Sequence, residues 1–172
     1  MIKIDISKCT GCRMCETACV FFHTGRTGRF KSRIKVINIY EDGIDGPVVC
    51  QQCIERYCTE CPENAISIGR NGQVIISHTV CNYCNKCIRA CPIGAIELYD
   101  ETYHVCDLCG GSPRCVEDCT EGAIVYLPNE SESISLEEFK KNSKGKNNSE
   151  RQLNFVKSSG FFLRKKWREK HA

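Results

Sequence analysis

All sixteen cysteines of this 172-residue chain fall into four groups of four, and few folds can accommodate that pattern. The groups are Cys9, Cys12, Cys15 and Cys19; Cys50, Cys53, Cys58 and Cys61; Cys81, Cys84, Cys87 and Cys91; and Cys106, Cys109, Cys115 and Cys119. The first and third read C-x2-C-x2-C-x3-C. The second, "CQQCIERYCTEC", reads C-x2-C-x4-C-x2-C. The fourth, "CDLCGGSPRCVEDC", reads C-x2-C-x5-C-x3-C. A chain this rich in cysteine is a disulfide scaffold, a zinc protein or an iron–sulfur protein.

Disulfides need an oxidising compartment. "MIKIDIS" has neither the basic nor the apolar segment of a secretory signal, and no apolar run approaches membrane-spanning length. The expectation is a cytoplasmic protein with reduced, metal-binding thiols and no transmembrane segment. Zinc ribbons place two C-x2-C pairs far apart, whereas three thiols at successive x2 spacing suit a cubane. Four irons sit at tetrahedral corners, each taking one soft thiolate, and a short loop can curl over three of them. The fourth cysteine stands at the start of a helical turn and points away; in two-cluster ferredoxins it ligates the neighbouring cluster. Pro62 and Pro92 follow the last cysteine of their groups and set the exit angle of the chain. A radical-SAM centre would need C-x3-C-x2-C, which does not occur. The histidines His23, His78, His104 and His171 show no ligand spacing; they read as surface or packing residues, with His104 alone close enough in sequence to a cysteine to tune a cluster.

The chain also repeats itself. "CPENAISI", "CPIGAIEL" and "CTEGAIVY" each place alanine four residues after cysteine, then isoleucine, then strand-forming residues. Each unit reads as cysteine loop, short helix and strand, with the isoleucine shielding the cluster. "MIKIDI" and "QVIIS" supply strands leading into the first and third groups. The predicted class is α+β: two fused ferredoxin-like modules, each a double 4Fe–4S unit of short strands and helices, followed by a helical or extended C-terminal tail. Residues 1–127 form the cluster domain. Residues 20–49 are an insertion within it, with a strand at 33–40, a turn at 41–47 and a basic loop, "HTGRTGR", that lacks phosphate-loop spacing. Few large apolar residues surround the cysteines, so folding and metal binding are expected to be coupled.

The order of the four groups and their loop widths together resemble the four-cluster electron-transfer subunits that accompany molybdopterin and tungstopterin oxidoreductases. That family includes the small subunits of dimethyl sulfoxide reductase, nitrate reductase and formate dehydrogenase, hydrogenase-linked subunits, and the small partners of tungsten aldehyde oxidoreductases and benzoyl-CoA reductases. The resemblance covers residues 1–127. The x2 spacing before Cys61 departs from the x3 common in the family. The short fourth loop and the missing signal look more like the soluble aldehyde-oxidoreductase and benzoyl-CoA-reductase type. The resemblance implies four 4Fe–4S clusters with exchanged ligands: Cys9, Cys12, Cys15 and Cys119; Cys106, Cys109, Cys115 and Cys19; Cys50, Cys53, Cys58 and Cys91; Cys81, Cys84, Cys87 and Cys61. It further implies a non-catalytic relay between a larger tungsten- or molybdenum-pterin subunit and an acceptor such as ferredoxin or another subunit, in a hetero-oligomer. The alternatives are a free polyferredoxin carrier, or a relay subunit of a hydrogenase or formate dehydrogenase.

Residues 128–172 contain no cysteine. "SLEE" (135–138) reads as a capping box and "KKNSKGKNNSE" (140–150) as a linker. From residue 140 onward there are eleven Lys/Arg against two Asp/Glu, a net of +9, which leaves −6 on residues 1–139 of the chain's formal +3. Sixteen thiolates on four oxidised cubanes would bring the body to about −14. With Phe155, Phe161, Phe162, Leu163 and Trp167, this basic tail is expected to dock on a catalytic subunit or a second copy rather than on nucleic acid.

Overall fold

The structure, a computed structural model, describes residues 1–128 and 134–171, without the side chains of 164–171. It is a mixed assembly of short helices and short antiparallel strands of ferredoxin-like character. Strand β1 (Ile2–Ile4) pairs with β8 (Ile124–Tyr126), β2 (Ile34–Ile39) with β3 (Ile44–Val49), β4 (Ile66–Ile68) with β5 (Val74–Ile76), and β6 (Glu97–Tyr99) with β7 (Thr102–His104). The helices are α1 (Met14–Thr24), α2 (Lys86–Ala90), α3 (Arg114–Glu117), α4 (Glu137–Lys141) and α5 (Asn148–His171). A two-stranded ribbon of three residues per strand is marginal in water, so these elements depend on what packs between them.

The β1–β8 pair, in register from Ile2 opposite Tyr126 to Ile4 opposite Ile124, ties the two ends of the cysteine-bearing segment together. It brings α1, which carries Cys15 and Cys19, against α3, which carries Cys115. Thiols are core residues here. Cys15, Cys19, Cys106 and Cys115 are buried among Ile2, Ile34, Val36, Val49, Leu108 and Ile124. The repeated alanine and isoleucine pack inward as their pattern implies: Ala65, Ala95, Ala123, Ile96 and Ile124 are all buried.

Two readings of the insertion and the tail need correction. The turn at 41–47 is tighter than its glycines indicate: Asp45, Gly46 and Pro47 lie inside β3, opposite Asn38, Ile37 and Val36. Among the described residues strand β3 pairs only with β2, so Pro47 costs no ladder bond on a second side. The 140–150 segment is no free linker. Lys140 and Lys141 end α4, and residues 148–150 begin α5. The Lys140 ammonium donates to Ala90 O (2.9 Å) and lies over the Tyr57 ring. Asn148 Nδ2 donates to Ile96 O (2.7 Å), and Gln152 Nε2 to Gly94 O (2.8 Å). Gly94 has φ +65°, and a Cβ there would sit 2.6 Å from Asn148 O, so this backbone crossing requires glycine. The start of α4 is satisfied from a distance as well: Glu55 accepts from Leu136 N (3.2 Å) and from the Ser135 hydroxyl, in place of the reciprocal bond of a capping box.

Helix α5 therefore divides. Its first half is built into the body: Val156 is fully buried, Phe155 packs on Phe139 at 5.1 Å between centroids, and Arg151 and Gln152 are buried polar residues. Phe155, grouped by sequence with the docking aromatics, is a core residue. Phe161 and Phe162 are 59% and 75% exposed, while the side chain of Trp167 lies outside the described residues. Replacing Phe155 by alanine should cost about 3–5 kcal/mol, the range for a buried aromatic. Phe162→Ala should stay within about 0.5 kcal/mol. Chemical denaturation of the cluster-loaded protein separates the two.

Candidate iron–sulfur centres

Each cysteine group sits on a loop with one shared backbone feature. The second residue after the first cysteine has positive φ in all four: Gly11 (70°), Gln52 (49°), Tyr83 (58°) and Leu108 (59°). Three of these are not glycine and hold a conformation costing about 1 kcal/mol or more unless the surroundings impose it. The left-handed residue reverses the chain and turns its own N–H inward. In three loops that N–H bonds to the first thiol: Gly11 to Cys9, Gln52 to Cys50 and Leu108 to Cys106. Arg13 and Asn85, each following a second cysteine, are also left-handed and curl the chain toward the third. Such curls gather amide N–H groups around an anionic centre. Further N–H groups reach the thiols from more distant backbone: Arg33 N to Cys19 Sγ and Ala95 N to Cys91 Sγ, both at 3.3 Å.

Cysteines that raise one another's pKa lie near each other. Cys9 is coupled to Cys12 and Cys119, and Cys15 to Cys9 and Cys12. A pocket lined by Cys9, Cys12, Cys15 and Cys119, with Val36, Pro47, Ala123 and Ile124 as apolar walls, contains the same four thiols. Cys115 faces Cys19 and Cys109, and Cys106 faces Cys115 and Cys19. Cys58 faces Cys50, Cys91 and Cys53. Cys87 faces Cys81 and Cys61, and the Tyr103 hydroxyl senses Cys81, Cys84 and Cys87 together. Neighbouring sets also adjoin: Cys15 shares one buried cluster with Cys19, Cys106 and Cys115, and Cys50 packs against it.

Burial dominates the chemistry of these groups. It pushes the Cys15, Cys50 and Cys58 thiols up to about 12 and Cys87 to about 11, and raises Cys106 and Cys115 strongly. Without a metal such thiols remain protonated and inert at neutral pH. In a metal-free chain their stabilising effect is present below about pH 9 and lost as pH rises toward about 12. A metal reverses that sign, because bound thiolates are released as pH falls and protons compete for sulfur. Soft donors in sets of four, in apolar surroundings with inward N–H groups, fit an iron–sulfur cubane.

One residue was not legible in the spacing. His23, on the last turn of α1, brings Nε2 within 3.9 Å of Cys109 Sγ and 3.4 Å of Asp107 Oδ1. These three are the one group of three or more potential metal ligands lying within 4.8 Å of one another among the described residues. Eighty-six residues separate His23 from Cys109, so no local pattern could signal the contact. His104, the histidine singled out by sequence, packs edge-on against Tyr99 at 5.5 Å. Its imidazole is lowered to about 4 by burial and by nearby cations, first Arg33.

These features define an iron–sulfur protein of ferredoxin type. Comparison with known proteins agrees. Residues 74–97 match the 4Fe-4S binding domain family. The chain is 40% identical over 124 residues to the aliphatic sulfonate oxidoreductase polyferredoxin-like subunit of Pyrococcus furiosus, covering 70% of this chain and 71% of that one. It is 30% identical over 148 residues to the probable anaerobic dimethyl sulfoxide reductase chain YnfG of Escherichia coli K12, covering 73% and 71%. A solved structure of the active-site complex BamBC of benzoyl coenzyme A reductase is similar over 92% of this chain and 95% of that one, at 25% identity and a TM-score of 0.40. The chain belongs to the family of ferredoxin-like iron–sulfur electron-transfer subunits of oxidoreductases. Among the described residues no helix is long and apolar enough to cross a membrane.

Cys119→Ser tests the thiol set at the first loop. It should alter the spectrum of the cluster bound by Cys9, Cys12 and Cys15. The cluster beside Cys106, Cys109 and Cys115 should keep its signal in electron paramagnetic resonance of the reduced protein.

Proposed function

We propose that the chain holds four 4Fe–4S clusters and relays electrons, without catalysis of its own, between a larger tungsten- or molybdenum-pterin subunit and an acceptor such as ferredoxin or a further subunit. The observation that carries this reading is the packing of the thiol sets against one another: Cys15, Cys19, Cys106 and Cys115 lie in one buried cluster, with Cys50 and Cys119 packed against it. Residues Cys9, Cys12, Cys15 and Cys119 would hold one cluster, and Cys19, Cys106, Cys109 and Cys115 the next. Cys50, Cys53, Cys58 and Cys91 would hold the third, and Cys61, Cys81, Cys84 and Cys87 the fourth. When bound, a cubane supplies a reversible one-electron centre, whose potential depends on hydrogen bonds to sulfur, charge and exposure. The chain's own part is to bury the sulfurs, aim N–H groups at them and exclude water between neighbouring sets. Cys12, which is exposed, marks one end of the row as the side where electrons enter or leave.

The fused pair of ferredoxin-like modules follows from the same grouping. The first and fourth loops join through β1–β8 and α1–α3, while the second and third meet where α2 packs on the turn at Tyr57–Thr59. Assembly with a catalytic subunit in the cytoplasm rests on the exposed end of α5. Phe161, Phe162 and Leu163 are apolar and uncovered, and five of the residues from 164 on are Lys or Arg. A free carrier has little use for such a surface.

Anaerobic purification from the native host is the direct test. The expected result is about sixteen iron per chain and a pterin-bearing subunit in fixed ratio. A lone 19.4 kDa species would support the free carrier. Truncation after residue 160 leaves Phe155 and Val156 in place. It should retain the iron but release the partner, with the electrostatic share of binding weakening as salt rises.

A further inference from the structure

We infer that Arg33, Asp107 and His23 act together as positioning residues that set the reduction potential of the cluster assigned to Cys19, Cys106, Cys109 and Cys115. The inference rests on the four-cluster reading above and adds to it a device assembled from three separate parts of the chain. Arg33 comes from the insertion, His23 from the end of α1, and Asp107 from the fourth cysteine loop.

The contacts are specific. Arg33 donates its backbone N–H to Cys19 Sγ at 3.3 Å, and its guanidinium Nη1 lies 2.5 Å from Asp107 Oδ2. Its Nε is buried and has no acceptor among the described residues, so one charged donor is left for an acceptor the protein does not supply. The other oxygen of Asp107 accepts the N–H of Cys109 at 3.0 Å, which fixes the loop at a ligand position. His23 Nε2 approaches that same oxygen at 3.4 Å and Cys109 Sγ at 3.9 Å. Thus a cation, an anion and an imidazole all converge on two thiols of one set. The charges of Arg33 and Asp107 act on Cys109 in opposite directions.

An added electron makes a cluster more negative. A neighbouring cation or N–H donor therefore stabilises the reduced form more than the oxidised one and raises the potential, while a carboxylate lowers it. Cys19, Cys106 and Cys115 are buried, while the Arg33 and Asp107 side chains are 23% and 38% exposed, so solvent screens these charges only in part. The set also has neighbours of two other groups: Cys19, Cys106 and Cys115 share one buried cluster with Cys15, and Cys50 packs against it. Its potential decides whether an electron arriving from either neighbour rests there or passes on.

The test is an anaerobic redox titration of the full, cluster-loaded chain, followed by electron paramagnetic resonance, with the signal assigned by its loss in Cys115→Ser. Arg33→Gln should lower that potential and Asp107→Asn should raise it. Each should change the reduced-to-oxidised ratio at the wild-type midpoint by about tenfold, which is about 59 mV for one electron. His23→Phe should lower it by less, Arg33→Lys should restore most of the loss, and the other signals should not move. Opposite signs distinguish a charge effect from loosening of the loop, which would shift both variants alike. If Arg33→Gln or Asp107→Asn loses iron, Arg33→Lys and Asp107→Glu, which keep the charges, must hold the wild-type potential. Equal shifts in all clusters, shifts of the same sign, or no shift at full iron content would overturn the inference alone. If Cys115→Ser removes no separate signal present in the wild type, the four-cluster reading is overturned with it.

Discussion

The structure depends on thiols from distant loops being packed among apolar side chains, five of them buried. Burial pushes the Cys15, Cys50 and Cys58 thiols to about 12, so without metal they are neutral and contribute only as small apolar groups. The apolar residues around them form three modest clusters, and each includes or borders on cysteines. Strands of three residues cannot supply cohesion on their own. In the proposed arrangement, metal–thiolate bonds would join loops from opposite ends of the chain and stand where a larger domain would have a continuous hydrocarbon core.

The loops show how a chain prepares for such a ligand. A left-handed residue stands at the same place in all four, Gly11, Gln52, Tyr83 and Leu108, and in three of them its N–H is directed at the first thiol. At Gly11 there is a second reason for glycine. A Cβ would lie 2.6 Å from Asn38 Nδ2 and 2.7 Å from Asp45 Cγ, so the β2–β3 hairpin closes directly over the first loop. Buried Glu16 completes that closure: it accepts the Val36 N–H at 2.7 Å and pairs with Arg13 at 3.2 Å. The same insertion that covers the first loop sends Arg33 to the fourth. Residues 20–49 therefore brace both outer thiol sets.

Helix α5 divides its residues between two physical roles. Arg151 caps the α2 segment by donating to Ile88 O and Cys91 O, and Val156 fills the second core, so the early turns belong to the cluster body. Later turns expose Phe161 and Phe162 and carry most of the positive charge. Lys157, paired with Asp42 at 3.2 Å, stands near the transition. A single helix thus fixes a basic, apolar extension rigidly to the acidic cluster body.

Cysteine spacing alone determined the chemistry, because ligand geometry for a cubane is local: a few residues of loop suffice to place three thiols. β1, β2 and β5 were legible from their β-branched runs, and the buried alanines and isoleucines from the repeat. The tertiary structure decided everything that depends on distant segments meeting. The spacing of the cysteines says nothing of whether Cys119 faces Cys9, and only family resemblance pointed there. The approach of His23 to Cys109, the hold of Glu55 on Leu136 and the burial of Phe155 have no periodic signature. Composition made 140–150 look like a linker, since lysine, asparagine and serine are favoured in exposed connections. In the fold, Asn148 and Lys140 instead find backbone carbonyls left unsatisfied by the short elements around the third cysteine group. Local spacing selects the metal, and contacts between distant segments select each thiol's neighbours and the charges that face it.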